Sequence, residues 1–333
     1  MLIGSMLNFA AAVIALFVFT KLSAKVAWRL APLVDFIYVL MIIHILNPWQ
    51  FYIASFIDGF SIYFFFVFYN IAHFEQTKKN KIGHRAGLLF SAGPVITILA
   101  PLLAGYLIQL NLIFFWLASG IFFLITFLLV NLQKDFKIEF NIKRALDEIK
   151  STRLFIFLEG LWEPINFTII PIFSLFFIKS PLKYGLFIAY LGLIGALATL
   201  LLGRFTDKIQ KRSVFLYPIT ISIAIVTCLF AKATSNAYLW ILLSGLIQFL
   251  LPIFWNLSTA MVVDTQANIK LAMIGREVFL NCGRVVGLLL TLISLSLEKS
   301  RPFSIFIILG ATMLAYALLL FWRTKISKQH SYL

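Results

Sequence analysis

Gly203-Arg204-Phe205-Thr206-Asp207-Lys208-Ile209-Gln210-Lys211-Arg212 is a short charged break between two uncharged apolar runs, 184–203 and 214–231. About 20 consecutive apolar residues is the length that crosses the hydrocarbon core of a bilayer. In lipid every backbone amide needs a partner within the protein, so each such run has to be a helix. Outward from this break the same alternation recurs, with runs near 3–20, 31–47, 49–72, 86–108, 111–132, 154–178, 237–262, 272–296 and 302–322. The short alternating segments of a transmembrane β-barrel are not seen. The reading is an all-α polytopic membrane protein with eleven spanning helices, joined in places by connections as short as Asn47-Pro48 and Gln109-Leu110-Asn111.

Composition agrees. The 333-residue chain is 62% hydrophobic and 12% charged, with a mean hydropathy of +0.98; ordinary globular chains carry about 25% charged residues. The net charge of +15 does not point to nucleic acid, because the basic residues sit in clusters between apolar runs. They report topology instead. Lys21, Lys25 and Arg29, the Lys78–Arg85 cluster, the 134–153 cluster, Arg204–Arg212, Lys270, Arg276 and the 323–328 cluster fall on one side, 22 residues against five on the other (Lys179, Lys183, Lys232, Lys299, Arg301). Basic-rich loops stay in the cytoplasm, so the C-terminus is expected inside and, with eleven spans, the N-terminus outside, in the cell membrane. Cys228 and Cys282 lie within apolar runs and read as core residues. No basic segment precedes the first apolar stretch, so a cleaved signal peptide is not expected.

The longest loop, 133–153, holds Asp135, Glu139, Asp147 and Glu148, and a partly apolar face made by Phe140, Ile142, Leu146 and Ile149. It divides five helices (1–132) from six (154–333), as in transporters built from duplicated bundles. The break at 203–212 resembles the loop signature of the major facilitator superfamily, G-x-x-x-D-[RK]-x-G-[RK]-[RK], with Gln210 in place of the second glycine. A worn copy, Thr20–Arg29, keeps the basic positions and has Ala24 where the aspartate would stand. Ala100-Pro101-Leu102-Leu103-Ala104-Gly105, preceded by Gly93-Pro94, looks like the family's fifth-helix element, associated with antiporters; Gly93, Pro94, Pro101 and Gly105 then serve helix packing. The arginine expected shortly before Asp58-Gly59 is replaced by Ser55. The resemblance implies a two-bundle helical fold. Because the family loop follows two helices and the worn copy follows one, the chain is expected to lack the family's first helix. It also implies a conformational latch of Gly203, Asp207, Lys208, Lys211 and Arg212 against the helix starting near Arg85, and a weak or absent latch at Ala24 against the helix starting near Ala272.

Charges within spans cost at least about 2.5–3.5 kcal/mol each at the bilayer centre and must face the protein interior or water. Asp58, the pair Glu159 and Glu163 four residues apart, and Glu277, Asn281 and Arg284 on one face of their helix are the candidates for a cavity that binds solute or protons. Pairing of Glu277 with Arg284 as internal glue is the plainer reading of that face. Asp35 and Asp264 are placed near cytoplasmic ends. No His, Cys or carboxylate grouping has metal-ligand spacing, and neither a P-loop nor a catalytic constellation occurs, so no cofactor, metal or enzymatic role is expected. The function these residues suggest is secondary transport of a small solute by alternating access, with proton-coupled antiport or export as the expected form, by a monomer. The alternatives are a truncated or degenerate homologue without transport and, less favoured, a membrane-embedded transferase.

The topology is tested with single cysteines introduced at positions 143 and 181 of a chain with Cys228 and Cys282 replaced. An impermeant thiol reagent applied to intact cells is expected to label 181 and spare 143; the reverse pattern overturns the orientation.

Overall fold

The structure, a computed structural model, describes residues 1–75, 96, 98–205, 212–298 and 303–326. Helix α1 spans Leu2–Val18, a short strand β1 spans Lys21–Ser23, and α2 spans Ala24–Ile43. Helix α3 runs through Pro48–Ile62, a π-helical turn Tyr63–Val67 and Phe68–Glu75. Helices α4, Ile98–Leu110, and α5, Leu112–Val130, follow. The linker contributes strand β2, Lys137–Glu139, and the short helix α6, Ile142–Glu148. Helix α7 is again composite: Arg153–Trp162, a π-turn Ile165–Ile169, and Ile170–Phe177. Helices α8 (Pro181–Phe205), α9 (Arg212–Ala233), α10 (Ala237–Thr265), α11 (Ile269–Leu297) and α12 (Ser304–Ile326) complete the chain.

Among the described residues nine helices are long and apolar enough to span a bilayer, and α1 and α4 are shorter apolar helices. The expected segment 31–47 is displaced: α2 begins at Ala24 and ends at Ile43. Its first turns carry Lys25 and Arg29, whose long stems let the charged heads reach polar surroundings, and the Ser23 hydroxyl accepts from the Val26 amide at 3.3 Å. Asparagine caps explain the tight connections. Asn47 accepts from the Gln50 amide and Asn111 from the Ile113 amide, each at 3.0 Å, satisfying amides that a helix start leaves orphaned; Pro48 follows its cap at a position where proline loses nothing.

The chain divides into two compact units. One comprises Met1–Gln76, Asn111–Gly160 and Gln266–Leu289; the other comprises Thr77–Leu110, Leu161–Thr265 and Leu290–Leu333. Compactness therefore groups the helices differently from chain order, yet helix pairing repeats. In the first unit α1 packs on α3 and α2 on α5; in the second α8 packs on α10 and α9 on α12. Small residues permit the close approaches, as expected where lipid supplies no hydrophobic drive between helices. A side chain at Gly59 would strike the Asn8 carbonyl, and one at Gly160 the Leu280 carbonyl, which brings α7 against α11. In the second unit Pro101 and Gly105 of α4 face α8, where Gly185 lies against the Pro101 carbonyl and Gly105 against that of Pro181. Its core is aromatic: Phe230 meets Trp240 edge-on at 4.8 Å and stacks on Phe306 at 5.7 Å, while Trp240 donates to Ser174 Oγ at 2.9 Å.

The α7–α11 approach makes a clear contrast with Gly120, around which nothing lies within 4 Å. Gly160→Val is expected to lower stability by about 1–3 kcal/mol through overpacking, read as an earlier thermal transition in detergent, and Gly120→Val to leave the transition in place. Equal effects would mean that the Leu280 contact does not set the spacing.

Candidate functional site

In the first unit the polar residues of α7 and α11 form a ladder. Arg276 donates to Glu159 Oε1 at 2.7 Å and to Glu277 Oε1 at 3.4 Å. Asn281 donates to the Glu277 carbonyl at 2.8 Å and to its carboxylate at 3.4 Å. Arg284 donates to Asn281 Oδ1 at 2.9 Å, and its guanidinium lies 5.1 Å from the ring centre of Phe9 on α1. All five polar residues are buried, Glu159 to 1% exposure. Charge alternates along the ladder, so each desolvated group faces an opposite or neutral partner, which a low-dielectric interior demands. The contact at Gly160 makes it possible, because it lets Glu159 reach across to α11.

A second cluster joins α1, α2 and α3. Asn8 Nδ2 donates to Asp58 Oδ2 at 2.6 Å. Asp35, in the middle of α2, neighbours Asp58 and Ser61. These side chains are half-buried. Two carboxyl groups set side by side repel each other when both are ionised.

In the second unit α7 carries a third cluster around its break. Pro164 has no amide hydrogen; the amides of Asn166 and Phe167 both reach back to the Glu163 carbonyl, at 2.9 and 3.3 Å. The π-turn then presents Asn166, whose Oδ1 accepts from Gln248 at 2.7 Å. The Glu163 carboxylate accepts from Trp255 Nε1 at 2.7 Å, with Trp255 stacked on Phe167 at 5.6 Å. Trp162 Nε1 donates to Thr227 at 2.9 Å.

No protein-family model matches the chain, and no curated protein sequence matches it either. Solved structures do. The human organic anion transporter MFSD10 (TETRAN) superposes with a TM-score of 0.64 at 15% identity, over 96% of this chain and 83% of that one. A bacterial homologue of the iron transporter ferroportin, in its outward-facing state, gives 0.62 at 17% identity, over 96% and 87%. The fold is that of these two solved transporters. The chain is an integral membrane protein of that architecture.

Within this fold the candidate residues fall into separate places. Glu159 and Glu163 share α7 but have different partners, Arg276 and Trp255, on either side of the helix break. The Glu277 carboxylate is held by Arg276, and Arg284 reaches Asn281. Arg85, Gly93, Pro94, Asp207, Lys208 and Lys211 lie outside the described residues, and of Gly203 and Arg212 only the helical backbone is described. Two residues were misplaced by the sequence. Arg276, counted among loop cations, is 7% exposed and stands two turns into α11; the need of Glu159 for a counter-charge was the available signal. Asp35, placed near a helix end, is central because α2 starts earlier than the apolar run, at the Ser23 cap.

Removing one partner of a buried ion pair costs about 3–5 kcal/mol, because the other is left uncompensated. Glu159→Gln and Arg276→Gln are each expected to lower the thermal transition strongly, and the double variant by much less than their sum. Additive losses in this double-mutant cycle would show that the two side chains do not act as a pair.

Proposed function

We propose that the chain is a secondary transporter that moves a small solute by alternating access, and that its coupling ion is the proton. The observation that carries this reading is the carboxyl pair Asp35 and Asp58, set beside each other within the membrane helices α2 and α3, with Asn8 of α1 donating to Asp58 at 2.6 Å. An ionisable pair at this depth marks an ion pathway. Bringing the carboxyls together favours uptake of a proton, because a neighbouring like charge disfavours the ionised form; separating them, on solute binding or on rearrangement of α2 against α3, favours its release.

The solute fits a small organic anion, the class named for MFSD10. Arg284, backed by the Phe9 ring and oriented by Asn281, offers a planar donor suited to a carboxylate. Glu163, beside Trp255 and the π-turn, is the candidate on the second unit. Orientation follows the basic-rich side, with the N-terminus outside and the C-terminus cytoplasmic. The halves 1–132 and 154–333 act as the two bundles, and the loop at 203–212 acts as their latch through Asp207.

Purified protein in proteoliposomes with an internal pH dye is exposed to gradients of organic carboxylates. Wild type is expected to couple solute movement to proton movement. Asp35→Asn and Asp58→Asn should lower that coupling about 5- to 150-fold, the span of a coupling free energy of about 1–3 kcal/mol, while solute exchange without net proton flow persists. Unchanged coupling in the double variant would remove the proton reading, and iron uptake in place of carboxylate movement would replace the solute.

A further inference from the structure

The first-half loop lacks an acid at Ala24, so the latch expected from it against the helix starting near Ala272 is weak or absent. Acids of the linker stand at these helix starts instead. The Glu148 carboxylate, at the end of α6, accepts from the Asn268 amide at 2.8 Å, immediately before α11, where Asn268 itself caps Leu271 at 3.1 Å. Gln266, just ahead, donates to Ser151 and Thr152 of the linker at 3.3 and 3.4 Å. Helix α6 is seated on α11 at Gly275, where a side chain would meet the Ala145 carbonyl. The other end of the linker does the same for α2. Asp135 Oδ1 accepts from the Lys25 amide at 3.0 Å; this hydrogen bond holds the Asp135 carboxyl below the usual carboxylate range. Strands β1 and β2 pair, with Lys21 opposite Glu139 and Ser23 opposite Lys137, and the Ala24 amide donates to the Phe136 carbonyl at 2.8 Å. Ile138, Phe140, Ala145 and Ile149 are buried beneath the strap so formed.

We propose that residues 135–149 are a strap that ties the start of α2 to the start of α11, its acids Asp135 and Glu148 standing in for the absent acid at position 24. The helix starts carry partial positive charge that an acid neutralises, and here both acids come from one segment whose apolar side is fixed in the same unit. The starts of α2 and α11 separate only when the strap lets go of one of them. This device rests on the alternating-access reading, in which those starts part as the basic-rich face opens. It also explains how a chain can do without an acid at position 24: the anchoring charge is carried by the linker.

The test uses the full chain with Cys228 and Cys282 replaced and spin labels at Val26→Cys and Ala267→Cys, in lipid nanodiscs. Pulsed electron resonance reads the ratio of long to short distances. Each acid at a helix start shifts an equilibrium by about 2- to 5-fold, so Asp135→Asn with Glu148→Gln is expected to raise the ratio about 4- to 25-fold, if the two sites are independent. Glu148→Asp should restore part of the shift. Gly275→Val, which lifts α6 from α11 without changing charge, should raise the ratio as well. An unchanged ratio in the double variant, with an unchanged thermal transition, overturns the strap. A raised ratio in a protein that moves no solute upholds the strap and removes the transport reading; transport by a double variant with an unchanged ratio does the opposite.

Discussion

Hydrocarbon offers no hydrogen bonds, and the rest of this structure follows from that. Every amide at a helix start, every carboxylate and every guanidinium within the spans has to be met by the protein itself. Asparagines at positions 47, 111, 236 and 268 meet the amides. Alternating charge meets the carboxylates and guanidinia: Glu159, Arg276, Glu277, Asn281 and Arg284 are arranged so that no like charges touch in the ladder. Tryptophans do the same at smaller cost, pairing their single donor with Glu163, Thr227 or Ser174 while burying a large apolar body.

This constraint also sets what could be read in advance. The spans were legible because their apolarity is long, uninterrupted and imposed by the solvent rather than by neighbours. The tight connections at Asn47-Pro48 and Gln109-Leu110-Asn111 were legible too, though not the capping by Asn47 and Asn111 that makes them. What escaped was anything decided by a partner distant in sequence. Arg276 looks like a loop cation when only its own helix is read; its burial depends on Glu159, 117 positions away. Asp35 lies in mid-helix because Ser23 begins that helix ahead of the apolar run. The linker acids Asp135 and Glu148 had no visible partner in the sequence, because their hydrogen bonds go to amides at the starts of two helices distant from each other in the chain.

The same logic accounts for a fold retained at 15–17% identity. Lipid-facing positions need only be apolar, and many large side chains here are exposed on that outer surface, Phe122, Leu128 and Leu318 among them. A larger side chain is costly where backbones touch, such as at Gly59 against Asn8 and Gly160 against Leu280. A fold whose outer positions need only be apolar leaves little for sequence comparison to find.

The π-turns of α3 and α7 have an effect of their own on such comparison. Each holds one residue more than the α-helical turn it replaces, so the side chains beyond it are rotated by about 100° relative to an unbroken helix. A relative whose corresponding helix is regular is aligned correctly only with a one-residue gap inside an apolar span, where gaps are ordinarily penalised. Without that gap, Ser174, the buried partner of Trp240, would be matched to a residue turned about 100° away from it around the helix.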